Sequence, residues 1–528
     1  ILRPLSALLS LLTIKTKSTS LKDMYLDVEK KAELYTLLVS QINTWFNARG
    51  NNNINETDIK FIINLFITYM ENDPNASEII AQVKEMFQNN ITNPYELSKV
   101  IDTYLIPQAE EQSTNAEFST PHALRNEMLD KLGDEYFSVP RRILEPSSGK
   151  GGFILDIISR FDKGLKYMFS DDKIRYKFIV EECIYFADIN PVNIFIVKLL
   201  IDRNNEYKLN YYGGDVLKLD PNMIWGIDEG FDSIIGNPPY QGTGRKKIWV
   251  NILDLSLKWL KQETGLLLFV TPQLAVNWLL GCEIAQQKVD KFYNIKYVNA
   301  SDSIATNHFK NVGSDFVYYV VENSDGNASN SITKIITTQD KEYNMNLSFN
   351  SMLSLRECGL ANIIINKLLK PNSNQWNRRA SRIEKDTQET QDDIYKNKLI
   401  YKIKTNKIEY LYTKRTHKDF NKPKVFYPTV GDRMIKDSEG DYFPGTSFVP
   451  YIPCSNEVEV DNVVILNNSK MLSFLKKQMK THRSPMDYVW RNLVKPMGVF
   501  DVDIKNDMDI YKLFNLTDRE IEYIESQM

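Results

Sequence analysis

Arg142-Ile143-Leu144-Glu145-Pro146-Ser147-Ser148-Gly149-Lys150-Gly151-Gly152-Phe153-Ile154-Leu155 passes from a short apolar run through a glycine-rich turn into apolar residues at helical spacing. A strand, a turn that lets backbone approach a ligand, and a helix is the economical reading. The turn is not a Walker loop, because no Gly-Lys-Ser/Thr follows at the required spacing. Six more short apolar runs extend the pattern downstream. With Arg142–Leu144 they predict seven strands, the others being Tyr185–Ala187, Tyr211–Gly213, Ser233–Ile235, Leu266–Val270, Ile295–Val298 and Phe316–Val321. Helical stretches separate them, and that alternation predicts a mainly parallel sheet covered on both faces.

Ligands of such sheets bind outside the carboxyl ends of the strands. Glu145-Pro146 follows the first predicted strand, Asp188 the second, Asp215 the third and Asn237-Pro238-Pro239-Tyr240 the fourth. Four chemically capable groups at four successive strand ends converge on one crevice. Asp188 suits the two hydroxyls of a ribose, and it equally suits a helix N-cap ahead of Asn190-Pro191. The Asn-Pro-Pro-Tyr turn is more specific. Two prolines remove two backbone donors and stiffen the chain. Beside their carbonyls, Asn supplies a side-chain acceptor and Tyr a flat ring, a combination that suits a planar amino group.

Composition sets bounds on the rest. The chain has 528 residues, 42% of them hydrophobic, enough for more than one core. The net charge of −3 excludes a uniformly basic coat, so any nucleic-acid surface is a local patch. The four cysteines (Cys183, Cys282, Cys358, Cys454) and the four histidines are scattered, which argues against a disulfide framework and predicts no metal site. No segment approaches the roughly 18 apolar residues of a membrane span, and the expected location is cytoplasmic. The apolar opening Ile1–Ile14 is interrupted by Arg3 and Pro4 and lacks a small-residue cleavage site, so it is read as a buried segment rather than a signal peptide.

Taken together, Thr120-Pro121, Glu145–Phe153, Asp188, Asp215 and Asn237–Tyr240 resemble the S-adenosylmethionine-dependent N6-adenine DNA methyltransferases that carry an Asn-Pro-Pro-Tyr signature. The likeness covers about residues 115–325 and includes the Phe118-Ser119-Thr120-Pro121 segment that precedes the cofactor turn in one subgroup. It implies a doubly wound, mostly parallel, seven-stranded Rossmann-like methyltransferase domain with S-adenosylmethionine as cofactor. Thr120, Pro121, Glu145, Pro146, Gly149 and Gly151 would then surround the methionine moiety. Asp188 would hold the ribose, with Ile189 beside it, and Asp215 the adenine amino group, with Val216 beside it. Asn237 and the carbonyl of Pro238, stiffened by Pro239, would accept from the target amino group. Tyr240 would stack on the target base and Phe309 would close its other face.

The remaining segments are read around that domain. Residues 1–112 form a helical N-terminal region, with apolar periodicity in Met24–Phe46, Ile59–Met70 and Ile79–Phe87. Residues 113–328 form the catalytic domain. Residues 329–528 form an α+β target-recognition domain. Arg245, Lys246 and Lys247, in a glycine loop just after the signature, suit phosphate contacts. The stretch 396–424 holds ten Lys and Arg against Glu409 and Asp419, with Tyr401, Tyr410, Tyr412 and Phe420 interleaved. It predicts a DNA-facing surface that includes Lys402, Lys404, Lys414 and Arg415. Ile465–Leu472 also looks like a segment recurring in such recognition domains. The expected partner is double-stranded DNA, with no membrane, and a separate restriction nuclease or other subunit is left open. No nuclease motif precedes residue 115. Methylation of an RNA base or of a protein glutamine, or a DNA-binding module without turnover, are the other classes that this turn permits.

Overall fold

The computed structural model describes residues 85, 89, 93–104, 119–202, 205–241, 247–284, 287–308, 315–324, 331–370, 375–376, 379, 386–404, 407–429, 431–444, 448–479, 485–496 and 502–528. The helical periodicity expected before Pro94, and the residues Phe118, Arg245, Lys246 and Phe309, lie outside these apart from positions 85, 89 and 93. The chain divides into two compact units, one of residues 1–275 and 283–335, the other of residues 276–282 and 336–528.

All seven expected strands form in the first unit: β1 (Ile143–Glu145), β2 (Ile184–Asp188), β3 (Asn210–Gly213), β4 (Ser233–Gly236), β5 (Leu266–Pro272), β6 (Asn294–Asn299) and β7 (Phe316–Glu322). They lie side by side in the order β3-β2-β1-β4-β5-β7-β6, and β8 (Ile332–Ile336) continues the sheet beyond β6. The first five are parallel, and β7 runs antiparallel to both β5 and β6. The fold is therefore α/β and doubly wound. Leu144 pairs with Tyr185 on one side and with Ile234 on the other. At this pair the strand order reverses, which opens the ligand crevice at the carboxyl ends of β1 and β4.

Burial explains the strand sequences. Every residue of β1, β2 and β4 is buried, as in parallel strands covered on both faces, whereas the edge strand β3 has none buried. Helix α1 (Pro94–Tyr104), α2 (His122–Leu129), α3 (Gly152–Gly164), α4 (Asp172–Phe178) and α5 (Pro191–Ile201) cover the β3-β2-β1 half. In α3 the residues Phe153 to Ile158 are all buried, so this helix is enclosed by the sheet and by other helices. Its neighbours in the core include Leu97, Leu124, Met128, Phe137 and Phe186.

The second unit is α+β. Of its two three-stranded sheets, one places Ile408–Thr413 between Thr387–Gln388 and Asn397–Ile403, and the other places Lys424–Phe426 between Ile435–Asp437 and Tyr451–Pro453; the longest strands, Asn397–Ile403 and Ile408–Thr413, form an antiparallel hairpin. A separate core gathers Ile364, Ile365, Leu472, Phe474, Leu475 and Trp490 from its helices. The segment Ile465–Leu472 is the junction of two of these, Glu457–Asn467 and Lys470–Gln478, with Ser469 Oγ capping the second by accepting from Leu472 N. Asn467 Oδ1 accepts from the indole of Trp490.

Among the described residues, no helix is long and apolar enough to cross a membrane. All four cysteines are buried, and none forms a disulfide among the described residues.

Candidate active site

The turn after β1 is built by two glycines in left-handed conformation, Gly149 with φ 50° and Gly151 with φ 86°. A Cβ on Gly151 would lie 2.9 Å from Val197 Cγ2 of α5, so neither the dihedral nor the space admits a side chain. Gly152 is required for a different reason: a Cβ there would lie 2.6 Å from the Arg125 guanidinium carbon. The glycine run therefore lets α3 start directly beneath a buried arginine.

Two further turns are laced to this one. Gly149 N donates to Asp188 Oδ2 at 2.8 Å and Ser148 N to the carbonyl of Ala187 at 2.9 Å. Asp188 Oδ1 accepts from Asn190 N at 2.7 Å and from Asn193 Nδ2 at 3.3 Å. Of the two readings of Asp188, the structure shows the capping one: its carboxylate holds the turn that leads into α5. It organises the start of α5, and its carboxylate lies at the carboxyl end of β2 against the glycine turn. Ser147 Oγ donates to the carbonyl of Asn237 at 3.2 Å, which ties the β1 turn to the Asn-Pro-Pro-Tyr turn at the end of β4.

Three buried polar atoms line this region with no hydrogen-bond partner among the described residues: Thr120 Oγ1, Glu145 Oε2 and Ser148 Oγ. Orphaned acceptors of this kind are uncommon in a native interior and fit a polar ligand. Burial pushes the Glu145 carboxyl well above the usual carboxylate range; Asp188 and Asp156 add to the rise and Arg125 opposes it.

Of the other expected cofactor residues, Ile189 is 62% exposed beside Asp188, as a surface waiting to be covered by a flat apolar group. Asp215 is half-buried and caps the helical turn Val216–Lys218 by accepting from Leu217 N at 3.1 Å, while Val216 is buried beneath it. Pro146 is buried, and Pro121 precedes α2 in extended conformation.

At the β4 turn Pro238 is buried, while Asn237, Pro239 and Tyr240 are half-buried. The Tyr240 ring lies 5.5 Å from that of Phe316, tilted by 39°, and its hydroxyl reaches the carbonyl of Val270 at 3.5 Å. Burial holds its phenol well above the ordinary value, so it is neutral.

The sequence reading missed the scaffold beneath the site. Buried Arg125 donates to Asp156 Oδ2 at 2.6 Å, to Ser98 Oγ at 2.6 Å and to the carbonyl of Thr120. It thereby fastens α1, α3 and the Thr-Pro segment together. Asp156 also contacts His122 Nδ1 at 3.0 Å. Glu127 Oε1 accepts from Tyr318 at 2.6 Å and from Asn299 at 3.2 Å, anchoring α2 to β7 and β6. The available signal was Asp156 itself, a lone carboxylate inside Phe153-Ile154-Leu155-Asp156-Ile157-Ile158, which demands a buried cation.

The basic stretch needs correction. Lys424 is fully buried and pairs with Asp437 at 2.9 Å. Lys398 is half-buried, its ammonium 4.1 Å from the Tyr410 ring. Lys404 and Arg415 are exposed but ion-paired with Glu409 and Asp386. Counting charge along the chain overstated the open positive surface, because a β-hairpin brings its own acids and rings alongside. Lys402 and Lys414 are exposed, as is Lys247 just before the helix Ile248–Lys258.

No family model matches the chain. The type II methyltransferase M.CvrRI of Paramecium bursaria Chlorella virus XZ-6E is 28% identical over 179 residues, which is 32% of this chain and 38% of that protein. The matched stretch thus spans well under two thirds of the relative. Among solved structures, the type IIL restriction-modification enzyme MmeI in complex with DNA aligns with 98% of this chain and 94% of its own, at 10% identity and a TM-score of 0.46. The methyltransferase subunit of a type I restriction-modification system from Streptococcus thermophilus aligns with 66% of this chain and 83% of its own, at 15% identity and a TM-score of 0.34.

Proposed function

We propose that this chain transfers a methyl group from S-adenosylmethionine to the N6 amino group of an adenine in duplex DNA. The observation that carries the reading is the Ser147–Asn237 hydrogen bond, which couples the acceptor-rich β1 turn to the Asn-Pro-Pro-Tyr turn. The likeness to a type II methyltransferase supports the same chemistry.

The residues present fit the cofactor. Thr120 Oγ1, Glu145 Oε2 and Ser148 Oγ would receive the ammonium end of its methionine moiety, Asp188 the ribose hydroxyls and Asp215 the adenine amino group, with Ile189 and Val216 against the ring. S-adenosylmethionine, when bound, supplies a methyl group made electrophilic by its sulfonium. The target adenine is inaccessible inside a duplex and must be flipped out. Its N6 lone pair is delocalised into the ring and is a poor nucleophile. Asn237 Oδ1 and the Pro238 carbonyl accept the two N6–H bonds and draw the nitrogen toward tetrahedral geometry. Orientation and fixed dipoles supply most of the rate, and no strong general base is needed. Tyr240 stacks on the extruded base, with Phe309 on its other face. Lys402, Lys414, Lys247 and neighbouring bases contact phosphates.

The test is methyl transfer from labelled S-adenosylmethionine to duplex DNA, total RNA and a translation termination factor. Label recovered as N6-methyladenine in DNA, and reduced roughly 10²–10³-fold by Asn237→Ala, is the expected result. Label in RNA or protein alone would overturn the substrate assignment while keeping the crevice.

A further inference from the structure

We propose that Lys150 is a positioning residue for the cofactor ribose, acting through Asn193 to hold the Asp188 carboxylate in its receiving orientation. The proposal rests on the reading of Asp188 as the ribose acceptor.

Lys150 sits between the two left-handed glycines of the turn, yet it is only 9% exposed. A lysine at the tip of a glycine loop ordinarily extends into solvent, because burying an ammonium group is costly unless it is hydrogen-bonded. Here Nζ turns inward and donates to Asn193 Oδ1 at 2.7 Å. Asn193, 1% exposed, carries the connection onward, since its Nδ2 donates to Asp188 Oδ1 at 3.3 Å. Asp188 Oδ2 returns to the turn by accepting from Gly149 N. The result is a closed ring, from Gly149-Lys150 through Asn193 and Asp188 back to Gly149.

This ring does two things. It fixes the Asn193 amide, whose Oδ1 is committed to the lysine so that its Nδ2 must face the carboxylate. It also places a cation two hydrogen bonds from that carboxylate, so that the lysine, the amide and the carboxylate hold one another's orientation. Neither Lys150 nor Asn193 needs to touch the ligand for this.

The experiment measures binding of S-adenosylhomocysteine and of its 2′,3′-dideoxy analogue to the full chain, by calorimetry, for wild type, Lys150→Met, Lys150→Arg and Asp188→Asn. Lys150→Met keeps the stem and removes the charged donor. It is expected to weaken S-adenosylhomocysteine about tenfold and to change the dideoxy affinity by less than about twofold. Lys150→Arg recovers most of the loss. Added to Asp188→Asn, Lys150→Met has little further effect. Equal weakening of both ligands would reduce Lys150 to a structural element of the turn and overturn the proposal. Wild-type protein that binds both ligands equally would instead refute the ribose role of Asp188, and the positioning role with it. Should Lys150→Met fail to fold, Asn193→Leu breaks the same ring and is judged by the same two ligands.

Discussion

Ser147 Oγ and the carbonyl of Asn237 are joined at 3.2 Å, although 90 residues separate them in the chain. The contact exists because β1 and β4 are adjacent at the point where the sheet order reverses. A serine in the turn after β1 thereby sets the position of the backbone that carries the Asn-Pro-Pro-Tyr turn. Ser147→Ala is expected to lower methyl transfer roughly fivefold, the effect of one ordinary hydrogen bond, with cofactor affinity unchanged. Single-turnover kinetics and calorimetry separate the two.

Glu145 gives a pH-dependent stability with an unusual sign. Its carboxyl is held well above the ordinary value of 4.5, chiefly by burial. A group whose folded-state value is raised contributes stability that is complete below its unfolded value and is lost as pH rises through the folded value. Glu145→Gln mimics the neutral form at every pH. Without cofactor, the variant is expected to match wild type near pH 4 and to exceed it increasingly above that, by about 2–4 °C in Tm per kcal/mol relieved. Its cofactor affinity falls. A variant less stable than wild type at pH 8 would contradict the burial argument.

The Arg125–Asp156 pair is buried on both sides, 2% and 0% exposed at the side chains. Arg125→Met leaves a buried carboxylate without its cation, and such breaks cost about 3–5 kcal/mol. Thermal denaturation is expected to show Tm lowered by roughly 10 °C. The double variant Arg125→Met, Asp156→Leu recovers much of this, because the orphaned charge is gone.

Tyr240 separates ring from hydroxyl. Its hydroxyl contact with Val270 is long at 3.5 Å, so Tyr240→Phe retains transfer within about twofold, a long contact of this kind being weak. Tyr240→Ala removes a stacking surface that is worth about 1–3 kcal/mol per base, and transfer drops about 10–100-fold. Equal losses in both variants would move the role from the ring to the hydroxyl.

Ion pairing in the second unit predicts unequal roles for its bases. Among the described residues, Lys402 and Lys414 make no ion pair of the kind that holds Lys404 to Glu409 and Arg415 to Asp386. Lys402→Ala and Lys414→Ala are each expected to reduce the salt dependence of DNA binding by about 0.9 in the log–log slope, the value of one phosphate contact. Lys404→Ala and Arg415→Ala change it less, since each removes an internally compensated charge. Fluorescence anisotropy across a salt series reads the difference.

Strand identity and strand order in sequence were legible because parallel strands buried on both faces need continuous apolar runs such as Ile184–Ala187, and the residues at their ends stand out against them. The Asn-Pro-Pro-Tyr turn was legible because proline chemistry is local. These features depend on periodicity and backbone conformation within a few residues, which a linear sequence carries directly. Pairing over long separations was not legible. Arg125 meets Asp156 and Ser98, Ser147 meets Asn237, and Lys150 reaches Asp188 through Asn193 only once sheet order and helix packing have been set. The ten bases of 396–424 read as one surface until folding brought Glu409 and Tyr410 of the hairpin, Asp386 beside it and Asp437 of the other small sheet alongside four of them. The sequence by itself determined which groups stand at the carboxyl ends of the strands; tertiary structure alone decided which of them are partnered, because burial and charge pairing are properties of neighbours in space.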